Sequence, residues 1–238
     1  GRRIGIEGLV SSSTDVLARI EFLDHRVQTN LLKPASPWLD IQGPRPALAV
    51  AAEYFGMGVE HILLGIDHLL FVLGLVLIVR GAGLLVKTIT AFTVAHSITM
   101  AMATLGFVHV PQAPVEAVIA LSIVFLASEL ARQHRGQSGL TARCPWLIAF
   151  SFGLLHGFGF AGALAEVGLP ETDIPLALLM FNLGVEAGQL LFVASVLALT
   201  WFTARMVGSV PRWLEDAPAY AIGSLAAFWL FERVAAFG

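Results

Sequence analysis

The sequence predicts an all-α polytopic membrane protein, with six transmembrane helices preceded by a short β-rich extracytoplasmic tail segment. Three observations carry this expectation. Hydrophobic residues make up 57% of the chain and charged residues only 13%, about half the charged share of a soluble domain. The mean hydropathy is +0.80. The apolar residues gather into six runs, each close to or above the ~20 residues that span a bilayer. The division is residues 1–46, the remnant of an extracytoplasmic β-domain with a Pro-rich linker, and residues 47–238, the transmembrane domain.

In the first region, Val16, Ala18, Ile20 and Phe22 alternate with Leu17, Arg19, Glu21 and Leu23, the period of a strand. Ser11 to Thr14 read as the turn before it, and Ile4 and Ile6 as a shorter partner strand. Pro34, Pro37, Pro44 and Pro46 make a stiff, helix-free linker. The chain opens on Gly1 without an initiator Met, and the expectation is that an upstream part precedes it. The six apolar runs are Gly58 to Val79, Leu84 to Phe107, Val115 to Ala131, Trp146 to Glu166, Ile174 to Ala204 and Pro218 to Ala236. Arg80 and Lys87, then Arg132, Arg135 and Arg143, then Arg205 and Arg212 fall in alternate loops. The loops Val108 to Pro114 and Gly168 to Asp173 carry no Lys or Arg. Basic loops stay in the cytoplasm, so both termini are expected outside.

Charge and cysteine content exclude other classes. A net charge of −3 argues against nucleic acid as a partner. The single cysteine, Cys144, can form neither an intrachain disulfide nor a cysteine metal site. The phosphate-binding motif Gly-x-x-x-x-Gly-Lys-[Ser/Thr] is missing, so nucleotide-driven transport is not expected. The remaining partners are the lipid bilayer, whatever the polar residues bind, and a partner protein for the N-terminal region.

Those polar residues begin in Gly56 to Phe71, an apolar stretch carrying Glu60-His61 and Asp67-His68, two acid–imidazole pairs seven residues apart. Ionisable groups inside a membrane are expensive and need a partner, a cavity or a metal. On a continuous helix the pairs point the same way but stand ~10 Å apart along the axis. That is too far for His61 and His68 to share one ion. Counting ~1.5 Å per residue along each helix, His68, His96, His156 and Glu186 all fall near the midplane on four different helices, with Asp67 and Ser97 adjoining. Three imidazoles with carboxylates match the ligand preferences of a divalent transition metal, Ni, Co or Zn. The candidate metal set is therefore Asp67, His68, His96, His156 and Glu186. Glu60, His61 and Glu116 lie nearer the outside as an access station or supporting shell. Asn182 and Gln189 flank Glu186 on one helix face, at i, i+4 and i+7. Gly153, Gly157, Gly159 and Gly162 surround His156 and permit close helix approach.

Each of these residues has a plainer reading. A lone intramembrane histidine commonly makes a structural interhelical hydrogen bond, and Ser122 and His61 fit that as well as a path. Glu129 reads better as a partner of Arg132 than as a further station. Glu232-Arg233 reads as an interfacial pair, and Met100 and Met102 as packing. For three histidines at one depth the purely structural reading is the weaker one.

Several motifs in order resemble the HupE/UreJ family of bacterial membrane proteins. They are Gly65 to Phe71 (Gly-Ile-Asp-His-Leu-Leu-Phe), Phe92 to Thr99 (Phe-Thr-Val-Ala-His-Ser-Ile-Thr), Val115 to Ala117, Gly153 to Ala161 and Phe181 to Gln189. The family takes its name from hydrogenase and urease accessory proteins. The resemblance therefore implies nickel or cobalt uptake across a bacterial cytoplasmic (inner) membrane. Asp67 and His68 match the Asp-His core of the family's metal motif near the first helix. The His-Pro pair that precedes it in shorter members is replaced here by Glu60-His61.

Three functions compete at this point. A divalent metal permease would collect ions outside and pass them through the midplane site. An intramembrane zinc-dependent hydrolase would hold zinc on three histidines, with Asp67 or Glu186 as general base and Ser97 as an orienting group. A non-catalytic membrane subunit would use the metal structurally. The resemblance tips the choice to the permease, and whether the chain is an enzyme stays open.

Overall fold

The protein is described by a computed structural model covering residues 2–12, 14–22, 27–41, 46–137, 139–160, 173–207 and 212–237. It is mostly helical, with a few short strands at the N-terminus. Strands β1 (Arg2–Gly5), β2 (Val16–Glu21), β3 (Val27–Leu32) and β4 (Trp38–Ile41) form two antiparallel pairs, β1 with β4 and β2 with β3. This corrects two expectations. The partner of β2 is the neighbouring β3, with Val16 opposite Leu32 and Glu21 opposite Val27. The strand at Ile4 pairs instead with residues inside the Pro-rich stretch, Ile4 opposite Leu39. The prolines flank β4 without entering it, so the ladder loses no donor. Leu9, Leu32 and Leu39 bury a small common core.

The helices are α1 (Ala47–Leu64), α2 (Ile66–Ile78), α3 (Ala82–Thr104), α4 (Gln112–His134), α5 (Leu140–Arg143), α6 (Pro145–His156), α7 (Ile174–Val207) and α8 (Arg212–Ala235). A short 3-10 turn, Gly157–Phe160, extends α6. Of these, α1, α3, α4 and α7 are long and apolar enough to cross a membrane, while α2 and Pro145–Gly159 are shorter apolar helices. The first apolar run is thus two helices, broken at Gly65. The fourth run is helical to His156, and Gly162 and the residues up to Glu166 lie outside the described residues. Pro145 opens α6 where its missing N–H costs nothing. Pro218, expected to start the last helix, lies inside α8.

Helix α1 lies along α7, α3 along α6 and α4 along α8, with α2 set against α4 and α7. The α1–α7 crossing brings the two backbones close together. A Cβ at Gly58 would overlap the Phe181 carbonyl oxygen, and one at Gly184 would overlap that of Phe55. Small residues at a crossing let backbones meet where lipid offers no hydrophobic drive to association. Contact positions rise together along α1 and α7 (Phe55 with Gly184, Val59 with Gly188) and along α3 and α6 (Phe92 with Gly153, His96 with Gly157). These pairs run parallel. Along α4 and α8 they run in opposite senses, His134 meeting Asp216 and Glu116 meeting Arg233.

One buried cluster joins Phe71, Leu75, Phe92, Ile123, Leu126 and Ile222, and a second joins Tyr54, Ile62, Met100, Phe181 and Val185. The outward faces carry Leu179, Leu199, Trp201, Phe202, Phe228 and Phe231 exposed. So many exposed large apolar side chains are what helices of membrane-crossing length and composition present.

Candidate metal centre

The site is built on the interruption at Gly65. This residue takes an extended conformation, φ −77° and ψ 93°, between α1 and α2. Its N–H still donates to the His61 carbonyl at 3.0 Å, and its own carbonyl accepts from Leu69 N–H at 3.0 Å. The change of direction undoes the helical arithmetic. His61 and His68 are not ~10 Å apart, as a continuous helix requires; their ring centroids stand at 4.6 Å with planes at 64°. A Cβ on residue 65 would lie 2.7 Å from His68 Nδ1 and 2.8 Å from the His61 carbonyl oxygen. Glycine is needed there for this close approach.

His96 on α3 completes a group. Its ring centroid is 6.2 Å from that of His61 and 6.3 Å from that of His68. One ring nitrogen from each of the three lies within 4.8 Å of the others. Three nitrogens around a tetrahedral ion at ~2.1 Å stand roughly 3.4 Å apart, so small side-chain rotations close the set on one ion.

The hydrogen bonds prepare two of these rings as ligands. His68 Nδ1 faces Asp67 Oδ1 at 3.1 Å, and the same oxygen accepts the His68 backbone N–H at 2.9 Å. His96 Nδ1 faces Asn182 Oδ1 at 3.4 Å, and the Asn182 amide donates to the Leu178 carbonyl at 2.8 Å, which turns its oxygen to the ring. Both Nδ1 atoms face acceptors and so carry the proton. The Nε2 lone pairs of His68 and His96 are then left buried without a hydrogen-bond partner. A carboxylate or amide oxygen behind the ring is the usual orienting device of a metal-bound histidine. The arrangement fits a divalent metal ion and leaves buried lone pairs unexplained without one.

His156, at the end of α6, stands 5.5 Å from His68 between ring centroids. Its Nε2 lies 2.9 Å from Ser122 Oγ, whose hydroxyl donates to the Ile119 carbonyl at 2.6 Å. Its Nδ1 is buried without a partner. A Cβ at Gly157 would overlap Thr99 Oγ1, so glycine lets this end of α6 reach α3.

Above the imidazoles opens a cavity of about 490 Å³. It is lined by Glu60, His61, Asp67, His68, Gln112, Glu116, His156 and Arg233, with Met57, Leu64 and Ile119 among the apolar residues. Arg233 reaches in from α8, with Nη2 3.7 Å from Asp67 Oδ2 and Nε 3.8 Å from Glu116 Oε2. Its Nη1 donates to the Glu116 carbonyl at 2.8 Å. Gln112 Nε2 donates to Glu116 Oε1 at 3.1 Å and to the Gly159 carbonyl at 2.9 Å.

A family model described as HupE / UreJ protein matches residues 41–233, most of the chain. The chain belongs to the HupE/UreJ family. Comparison with curated proteins and with solved structures gives no significant match. The HupE/UreJ family points to an accessory or transport role in nickel or cobalt handling, and the histidine triad of this member can bind a metal. Family and apolar helices together point to a membrane location.

In this HupE/UreJ protein the residues singled out from the sequence separate into three places. Asp67, His68, His96, His156 and Asn182 meet at the imidazole group, and His61 belongs there beside His68. Glu60 and Glu116 line the cavity. Glu186 lies elsewhere in the hydrogen-bond pattern, accepting from Thr90 Oγ1 at 2.6 Å. Gln189 Oε1 accepts from Thr93 Oγ1 at 3.0 Å, and Ser97 Oγ donates to the Thr93 carbonyl at 2.6 Å. The Thr90–Glu186 and Thr93–Gln189 bonds form a seam between α3 and α7, while the Ser97 bond stays within α3. Sequence reasoning missed Arg233 and Gln112 as cavity residues. For Arg233 a signal was present: on the topology expected from the loop charges it is a cation at an outer helix end, against the charge rule the other loops obey.

Proposed function

We propose that this protein is a divalent metal permease of the bacterial cytoplasmic membrane, with nickel or cobalt as cargo. The observation that carries it is the group of His61, His68 and His96 next to a carboxylate-lined cavity, which His61 and His68 themselves line while His96 stands behind them. Glu60, Asp67 and Glu116 draw a dication in from outside. The imidazoles strip part of its water and hold it, and His156 stands beside them as the next nitrogen. In this reading the discontinuous pair α1 and α2 is a single crossing, and α3, α4, α6 with its continuation, α7 and α8 are the other five. Parallel α1–α7, parallel α3–α6 and antiparallel α4–α8 support six alternating crossings. Both termini then face the extracytoplasmic side. Residues 1–46 form a separate extracytoplasmic unit able to meet a partner protein, and residues 47–238 the transport unit.

The test is uptake of Ni²⁺ or Co²⁺ by proteoliposomes. Saturable flux that disappears in His68→Ala, with the fold intact by circular dichroism, is the expected result. A second reading, an intramembrane zinc-dependent hydrolase, is favoured by one observation. Glu129, further along an inward path, is already engaged by Thr141 N–H at 2.8 Å and by Arg132 at 3.9 Å. A cavity that ends on imidazoles suits a zinc-bound water as well as a passing ion. One chelator-resistant zinc per chain with no flux decides against the permease, and hydrolysis that is lost with the zinc then separates the hydrolase from a subunit whose metal is structural.

A further inference from the structure

Arg233 carries the inference. It comes from α8, while the carboxylates it faces come from α2 and α4, so three helices meet at its guanidinium. Its firm bond is to a neutral group, the Glu116 carbonyl at 2.8 Å. Its contacts with the Asp67 and Glu116 carboxylates, at 3.7 and 3.8 Å, are long for charge-assisted hydrogen bonds, which close to ~2.7–2.9 Å. The side chain is thus anchored by a carbonyl and shared loosely between two acids. Asp67 turns Oδ1 to His68 and Oδ2 to Arg233, so one carboxylate links the guanidinium to the histidine group.

We propose that Arg233 is a specificity-determining residue: a tethered cation that occupies Asp67 and Glu116 between cargo ions and yields them to a dication but not to a monovalent ion. This rests on the metal reading above and deepens it. The cavity carries three carboxylates, Glu60, Asp67 and Glu116, against the one guanidinium. Two negative charges remain, the complement of a single dication. A free monovalent ion meets Arg233 at equal charge. It also competes with a group held at an effective concentration set by its tether, in the millimolar range or above. A dication gains twice the Coulomb attraction at the same distance and adds imidazole bonds that Na⁺ and K⁺ do not form. Removing the guanidinium therefore removes a competitor and also a filter.

The experiment is calorimetric titration of the full chain in detergent with Ni²⁺, in NaCl or in choline chloride at matched ionic strength. The wild type should bind equally in the two salts. Arg233→Gln should bind Ni²⁺ about tenfold tighter, the size of one neighbouring charge, and should lose affinity in NaCl relative to choline chloride. Arg233→Lys, whose point charge cannot bridge both carboxylates, should fall between. A purely structural arginine would not create a difference between sodium and choline. Equal or weaker binding by folded Arg233→Gln, or identical behaviour in the two salts, overturns the proposal. Should Arg233→Gln fail to fold, the lysine variant decides, and an affinity at or below wild type overturns it. Wild-type protein that binds no Ni²⁺, or binding untouched by His68→Ala, sinks the metal reading and this proposal together. Binding that depends on His68 but ignores residue 233 sinks this proposal alone.

Discussion

Two buried polar regions of this helical protein make different use of the same costly material. Along the α3–α7 seam, carboxylate and amide oxygens are matched by hydroxyls, Thr90 to Glu186 at 2.6 Å and Thr93 to Gln189 at 3.0 Å. At the imidazole group, the orienting atoms are matched but the ligand atoms are not: Nε2 of His68, Nε2 of His96 and Nδ1 of His156 are buried without partners. The first pattern is interhelical adhesion. The second is a set of lone pairs held ready for something external, at a cost that would otherwise be selected away. The seam also leaves one buried donor unmatched, Gln189 Nε2, so the two regions differ in the clustering of unmatched imidazole nitrogens at one place, and depth in the membrane does not separate them.

The largest expected effect tests that separation at its centre. His68→Ala should lower Ni²⁺ affinity by ~100-fold or more, judged against the 10–100-fold lost with an orienting group alone. Because the two rings stand 4.6 Å apart, His61→Ala should lose a comparable factor. Calorimetry that finds His61→Ala unchanged would return His61 to an outer access role. Gly65→Ala comes next. Its Cβ would sit 2.7 Å from His68 Nδ1, displacing the ring from Asp67, and affinity should fall about tenfold. Wild-type affinity in that variant would mean the interruption does not position the ligand. The smallest effects belong to the seam. Glu186→Gln and Thr93→Val should each cost about 0.6–1.7 kcal/mol of stability, read by thermal unfolding in detergent, while Ni²⁺ affinity stays within about twofold of wild type. A loss in Glu186→Gln as large as that in His68→Ala would merge the two regions into one site.

How much of this was legible in the sequence depends on range. Helical runs and the depth of His68, His96 and His156 follow from composition and a fixed rise per residue, and the structure brings those three together. The β2 alternation was legible because it is local. Its partner β3 was not, since Gln28, Thr29 and Asn30 carry no apolar period, and β4 was hidden among prolines. The break at Gly65 leaves no mark, because glycine is tolerated inside membrane helices and nothing in Leu64-Gly65-Ile66 distinguishes an extended residue from a helical one. One torsion pair then moved His61 from an outer station to within ring contact of His68. Arg233 was misplaced for the opposite reason. The local pair Glu232-Arg233 offered a sufficient explanation, and the true partners, Asp67 and Glu116, lie more than a hundred residues away.

The interruption at Gly65 has an electrostatic consequence as well. A continuous helix would bury its peptide dipoles head to tail, whereas a break exposes two ends, each equivalent to about half a charge. The carbonyl end of α1, with His61 in its last turn, presents the negative half, which favours a cation beside that imidazole. The amide end of α2, with Asp67 in its first turn, presents the positive half beside that carboxylate. Backbone alone therefore sets opposite fields on the two acid–imidazole pairs that the sequence writes in the same letters.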